Sequence, residues 1–156
     1  MYKRILLTSD GSKNSEYAIK HALQIASDEH AEIIVLHVVD SKHLSSISDE
    51  AIDDDNVVFD DHGDNVLEHI ASLIDEYKKE LEIDDDSLQV SKLSVEGNPA
   101  EMIIQVCEKE KIDMIIMANS GKHKLDRFLL GSVTEKTIRE APVPVLVIPA
   151  NYSPKK

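Results

Sequence analysis

The stretch IDMIIMANSG occupies residues 112–121, and nine residues then separate it from the pair Gly131-Ser132. Its first part, Ile112 to Met117, is short and almost wholly apolar, which is typical of a strand buried inside a sheet. A glycine-containing connection that leaves such a strand and opens a helix lets backbone amides approach a bound anion closely. The stretch therefore predicts an α/β fold with a phosphate site where this strand ends.

Four other segments have the apolar composition of strands and occupy residues 2–8, 33–39, 88–93 and 145–148. Segment 33–39 is continuously apolar, which predicts a central strand, whereas segment 88–93 alternates, which predicts a strand at the sheet edge. Apolar residues recur at helical spacing between the strands. This order of elements predicts an open, doubly wound, five-stranded parallel sheet with helices on both faces.

Two helix starts are marked by their sequence. Asn98 and Pro99 suit the cap and the first turn of a helix, and Glu101 follows at the spacing of a capping box. Ser132 and Glu135 have the same spacing, which predicts that Ser132 caps the last helix.

The segment 40–62 is strongly acidic and has no sustained apolar period. We expect it to form a long, exposed and flexible excursion from a single domain that spans residues 1–150. Residues 151–156 are expected to form a polar tail.

The composition restricts the class of protein. A formal net charge of −13 over 156 residues argues against general binding to nucleic acid or to anionic membranes. The apolar run at residues 5–7 is too short for a signal peptide, and no run approaches the roughly 20 residues of a membrane span, so we expect a cytoplasmic protein. The single cysteine, Cys107, lies on the apolar side of a helix and is expected to be an inert core residue.

A protein this acidic needs local positive charge to hold a phosphate. Lys122, His123, Lys124 and Arg127 lie between the two glycine motifs, with Asp126 the acidic residue among them. These cations either attract an anion or are ordinary solvated loop residues, and charge alone does not distinguish the two.

Both ends of the chain resemble the universal stress protein family. Gly121, the nine-residue gap, Gly131-Ser132 and the segment 141–148 are similar to the carboxyl-terminal signature of that family. At the amino end, residues 1–12 and then Val35-Leu36-His37-Val38 are similar to its opening. The resemblance implies a Rossmann-like fold of the adenine nucleotide alpha hydrolase type, with strand order 3-2-1-4-5. In that order strands one and four are neighbours at the point where ligands bind.

The resemblance further implies that ATP, ADP or AMP binds at the ends of these strands in a regulatory stress response, with at most slow hydrolysis. Mg²⁺ is expected to bridge the phosphates. Residues 8–10 and Val38 are expected near adenine and ribose, Met117 beside the base, and the glycine motifs around the phosphates. The candidate nucleotide-binding residues are Thr8, Ser9, Asp10, Val38, Met117, Ala118, Gly121, Lys122, His123, Gly131, Ser132 and Val133.

Several candidates also have an ordinary structural interpretation. Asp10 suits a turn or a helix cap, and Val38 and Met117 suit an apolar core. Ala118 stands where nucleotide-binding members of the family have glycine, and its methyl group costs roughly 1 kcal/mol or more if φ is positive but little if φ is negative. The alternative function is therefore a family member without nucleotide that acts through protein partners.

The last strand also predicts an oligomeric state. The segment Val143–Ile148 is apolar, contains Pro144 and has no charged residue to protect it as a sheet edge. Pairing with the same strand of a second copy protects this edge, so we expect a homodimer through Val143–Ile148, as the resemblance also implies.

Overall fold

The computed structural model describes residues 1–9, 12–40, 52–119, 130–149 and 151–155, with only the backbone for residues 13, 14 and 52–64. Five parallel strands form one sheet in the order β3-β2-β1-β4-β5, as expected. The strands are β1 Arg4–Thr8, β2 Glu32–Asp40, β3 Val90–Gly97, β4 Met114–Ala118 and β5 Val145–Ile148.

Helices cover both faces of the sheet. They are α1 Lys13–Glu29, α2 Ile52–Glu80, α3 Pro99–Lys109 and α4 Ser132–Glu140, with a short 3-10 turn at Asp85–Ser87. Helices α1 and α2 pack together on one face, and α3 and α4 pack together on the other. None of the helices in the described part of the chain is both long and apolar enough to cross a membrane.

Strand β1 is the centre of the fold. Its side chains alternate, so that Ile5 and Leu7 lie in the apolar cluster under α1 and α2, while Leu6 lies in the cluster under α3. All three are 0% exposed, and full burial of such a side chain contributes about 1.5–3 kcal/mol. Because β1 pairs with β2 on one side and β4 on the other, the chain must cross to both sides of it.

The edge strand β3 begins and ends later than its apolar pattern predicts. Of the strands that the structure describes, it pairs with β2 alone, from Ile33 opposite Val90 to Asp40 opposite Gly97. The hydrogen bonds with β2 therefore extend the strand beyond Leu93, where apolar alternation alone suggested its end.

Asn98 caps α3 as predicted, whereas the carboxylate of Glu101 pairs with Nζ of Lys136 at 3.4 Å and does not complete the predicted capping box. The Oδ1 atom of Asn98 accepts a hydrogen bond from the backbone N–H of Glu101 at 3.2 Å, and Pro99 occupies the first turn. This side-chain oxygen satisfies one of the amides that a helix leaves without an internal partner.

The expectation of an irregular segment from 40 to 62 is wrong where the structure describes it. Asp40 is the last residue of β2, and the backbone is helical from Ile52 onward. The sequence Asp53-Asp54-Asp55 follows the helix start, where acidic residues are favoured by the helix dipole. The acidic run from residue 52 to 62 is therefore helical although its sequence lacks apolar periodicity. Residues 41–51 lie outside the described part of the chain.

Cys107 packs in the apolar cluster with Ile103 and Ile112 and is 2% exposed. Burial, with a smaller contribution from Glu108, raises the pKa of its thiol.

We therefore predict that a disulfide reagent modifies Cys107 very slowly in the native protein at pH 7 and rapidly after unfolding in guanidinium. Rapid modification in native buffer, followed by absorbance of the released thiolate, would contradict this burial.

Candidate functional site

A cavity of about 240 Å³ lies at the carboxyl ends of the central strands, between the starts of α3 and α4. This is the place where the strand order reverses around β1, and where open α/β sheets bind their ligands. Its lining residues are Thr8, Ser9, Ser15, Leu36, His37, Val38, Asp40, Pro99, Ile103, Met117, Ala118 and Val133.

Half of the predicted binding residues line this cavity, and they come from four different elements of the fold. They are Thr8, Ser9, Val38, Met117, Ala118 and Val133. Gly131 and Ser132 directly precede Val133 at the start of α4. The other predicted residues, Asp10, Gly121, Lys122 and His123, lie outside the described residues.

A second cavity, of about 230 Å³, lies between α2 and the edge strand β3. It is lined by Ala71, Ile74, Asp75, Lys78, Leu88, Val90 and Lys92. It contains none of the predicted binding residues and does not touch the point where the strand order reverses. The first cavity is therefore the candidate functional site.

The first cavity has an apolar wall on the face of the sheet that α3 covers. Met117 is 4% exposed, and Val38 and Val133 pack against the cluster that contains Ile103. Such a wall, formed by aliphatic and methionine side chains, suits the flat face of an aromatic base.

Polar groups also line the cavity. Nδ1 of His37 lies 3.2 Å from the carbonyl oxygen of Ser9. Because a carbonyl only accepts, His37 must carry its hydrogen on Nδ1, which leaves Nε2 of the neutral ring as an acceptor. Asp40 adds a carboxylate at the end of β2, and Ser15 adds a hydroxyl that donates to the carbonyl of Ser12.

Sequence reasoning missed His37, Asp40 and Ser15. The signal for the first two was their position, since both lie near the carboxyl end of β2, next to the strand where the order reverses. The apolar pattern there predicts a buried strand followed by an acidic excursion, and this pattern assigns neither residue to a nucleotide site. Ser15 carried no comparable signal.

The predicted cap of α4 is wrong by one residue. The N-cap is Gly131, whose carbonyl accepts from the backbone N–H of Glu135 at 2.9 Å, and Ser132 is the first helical residue. The carboxylate of Glu135 pairs with Arg139 one turn later. The reason is that Gly131 already has the extended conformation of an N-cap, with φ −60° and ψ 153°. No side chain at the N-cap therefore competes for the amides of the first turn.

Asn119 joins the end of β4 to the start of α4. Its backbone N–H donates to the carbonyl of Ile148 at 2.8 Å, and its side-chain Oδ1 accepts from the N–H of Gly131 at 2.9 Å. These two bonds connect β4, β5 and α4 at the rim of the cavity. Sequence reasoning gave Asn119 no role.

Ala118 occupies an ordinary position in the sheet. It is the last residue of β4, paired with Ile148 of β5, and its methyl group packs against the cluster under α1. Among the described residues other than glycine, a positive φ occurs at His30, Glu82 and Lys111 and not at Ala118. The methyl group therefore imposes no left-handed backbone strain.

Comparison with known proteins agrees with this architecture. The model of the universal stress protein family matches residues 1–149. Universal stress protein MJ0577 of Methanocaldococcus jannaschii is 35% identical over 156 residues, which cover 95% of each chain. A solved structure of the MJ0577 protein has a TM-score of 0.70 and 34% identity, with 98% of this chain and 99% of that one covered. The chain belongs to the universal stress protein family.

Two more distant members share the fold and were solved with adenine nucleotides. A universal stress protein in complex with cAMP has a TM-score of 0.67 and 19% identity, and covers 96% of this chain and 98% of its own. The protein from Archaeoglobus fulgidus in complex with dAMP has a TM-score of 0.66 and 17% identity, with coverages of 94% and 98%.

The conformation of Ala118 gives a stability prediction. Because glycine weakens an extended strand relative to alanine, Ala118→Gly should lower the free energy of unfolding by roughly 0.5–1 kcal/mol. Chemical denaturation followed by circular dichroism measures the change. A variant more stable than the wild type would show that alanine is strained at this position.

Proposed function

We propose that this protein binds an adenine nucleotide, ATP or its products ADP and AMP, in the first cavity and acts as a regulatory stress-response protein. The observation that carries the proposal is the combination of the apolar wall of this cavity with the start of α4, which is capped by Gly131. Amides at a helix start attract phosphate, and an apolar wall accepts the base.

The choice of glycine at position 131 needs an explanation. At φ −60° any residue is permitted, and serine, threonine, aspartate or asparagine caps a helix better than glycine does. A cap without a side chain is an advantage if a ligand must approach the backbone closely. We take Gly131 as a position kept open for a phosphate.

The nucleotide is oriented by charge. Asp40 lies on β2, which β1 separates from β4. Because its carboxylate would repel phosphates, we place the sugar beside it. The carboxylate of Asp40 is a suitable acceptor for ribose hydroxyls, a role that the sequence also predicts for Asp10. We place the phosphates instead at the start of α4. In the sequence, the cationic residues Lys122 and His123 precede that helix.

The size of the cavity is compatible with this arrangement. Its volume of about 240 Å³ is below the ~300–1,000 Å³ of pockets that enclose whole drug-sized ligands. We therefore place the base and the sugar inside and the phosphates at the rim. Mg²⁺ would bind mainly through phosphate oxygens there and reduce their charge. The complexes of two relatives with cAMP and dAMP support an adenine ligand.

The role is binding, with at most slow hydrolysis. Among the described lining residues, the titratable groups are His37 and Asp40, and both are on β2. They lie on the sugar side, whereas hydrolysis needs a group that orients water at the terminal phosphate.

Gly131→Val tests the nucleotide site. The valine side chain would obstruct the phosphate position, so we expect ATP to bind at least about tenfold more weakly, the effect of losing one charge-assisted hydrogen bond. Isothermal calorimetry with and without Mg²⁺ measures the dissociation constant. Ser94→Val, on the exposed side of β3, is the matched control and should bind as the wild type does.

Equal affinity in the wild type and Gly131→Val would refute the phosphate position. If the wild type binds no adenine nucleotide at all, the alternative holds, and the protein acts through protein partners without a nucleotide.

We also propose a homodimer through Val143–Ile148. Among the described strands, β5 pairs with β4 alone, and Val145, Leu146 and Val147 are half-buried. A second copy of β5 would satisfy the free edge and cover these side chains.

Val147→Lys tests the dimer, because a lysine at this edge should turn the protein into a monomer. Light scattering at micromolar concentration measures the mass. Ser91→Lys, at the opposite edge of the sheet, is the control and should stay dimeric. A monomeric wild type, or a dimeric Val147→Lys protein, rules out this interface.

A further inference from the structure

We infer that Asn119 is a positioning residue that sets the start of α4 for phosphate binding; the inference rests on the proposed function. Its side chain does not line the cavity, so it would act on the ligand through Gly131 and the first turn of the helix.

The geometry of Asn119 is suited to this role. Its backbone is held by β5 through the bond to Ile148, and its side chain holds Gly131, twelve positions further along the chain. These two bonds tie the position of the N-cap to the sheet. Met117 and Ala118, directly before Asn119, line the same cavity. One residue therefore connects the wall that accepts the base with the helix start that accepts the phosphate.

The bond also determines which amides remain for a ligand. A helix leaves its first amides without internal partners, and here Asn119 takes the amide of Gly131. The amides of Ser132 and Val133 follow in the first turn and are oriented by the fixed N-cap. The side-chain amide of asparagine is neutral, so it accepts this hydrogen bond without adding negative charge. A carboxylate at the same place would repel the phosphate.

The structure contains a matched comparison. Asn98 caps α3 with the same chemistry, through Oδ1 and the backbone N–H of Glu101. Both helices start beside the cavity, and Pro99 of α3 and Val133 of α4 are among its lining residues. If phosphates bind at α4, the loss of the Asn119 bond should affect them and the loss of the Asn98 bond should not.

The test compares ATP with adenosine, which lacks phosphate, by calorimetry on the wild type, Asn119→Ala and Asn98→Ala. We expect Asn119→Ala to weaken ATP binding about threefold to tenfold, as for the loss of one hydrogen bond, and to leave adenosine within about twofold. Asn98→Ala should keep the wild-type ratio of ATP to adenosine affinity. Asn119→Ser, whose shorter side chain does not reach Gly131, should repeat the loss that is selective for ATP.

Three outcomes overturn the inference. Equal weakening of ATP and adenosine in both Asn119 variants would mean a general structural role, and unchanged affinity for both ligands would mean no role. A loss selective for ATP in Asn98→Ala alone would place the phosphates at α3. In all three cases the wild type binds ATP and the proposed function survives. A wild type that binds neither ligand overturns the proposed function as well.

Discussion

Burial of β1 on both faces is the constraint on which the rest of the structure depends. Ile5, Leu6 and Leu7 are fully buried, two against one layer of helices and one against the other, so both layers are required. Since β2 and β4 flank β1, the connections leave it in opposite directions and open a crevice at the strand ends. The cavity is thus a consequence of the strand order and not a separate feature.

Sequence patterns predicted the parts of the fold that depend on burial. Continuous apolar runs indicated the strands because both faces of a parallel sheet are covered, and the family resemblance supplied their order. Apolar patterns did not predict the bounds of elements whose extent is determined by charge or by contacts with other elements. The helix that starts at Ile52 lies in an acidic run, and β3 is extended by its pairing with β2. The cap of α4 shifted to Gly131 because spacing does not reveal backbone conformation.

The candidate site was predictable to the extent that it lies at strand ends. The family resemblance implied Thr8, Val38 and Met117, which lie at strand ends and line the cavity. His37 and Asn119 are instead held by hydrogen bonds between elements distant in the sequence. No local pattern encodes such bonds. Ala118 shows the opposite case, because a departure from the glycine of the family motif is accommodated by an ordinary strand conformation.

The central claim is that an adenine nucleotide occupies the cavity at the ends of β1, β2 and β4. Titration of ¹⁵N-labelled protein with AMP, followed by two-dimensional NMR, tests it most directly. The account predicts that the largest shift changes occur at the amides of Thr8, Val38, Met117 and Val133, while Lys78 and Leu88 beside the second cavity stay unchanged. Saturable changes centred on the second cavity, or no changes at millimolar AMP, would contradict it.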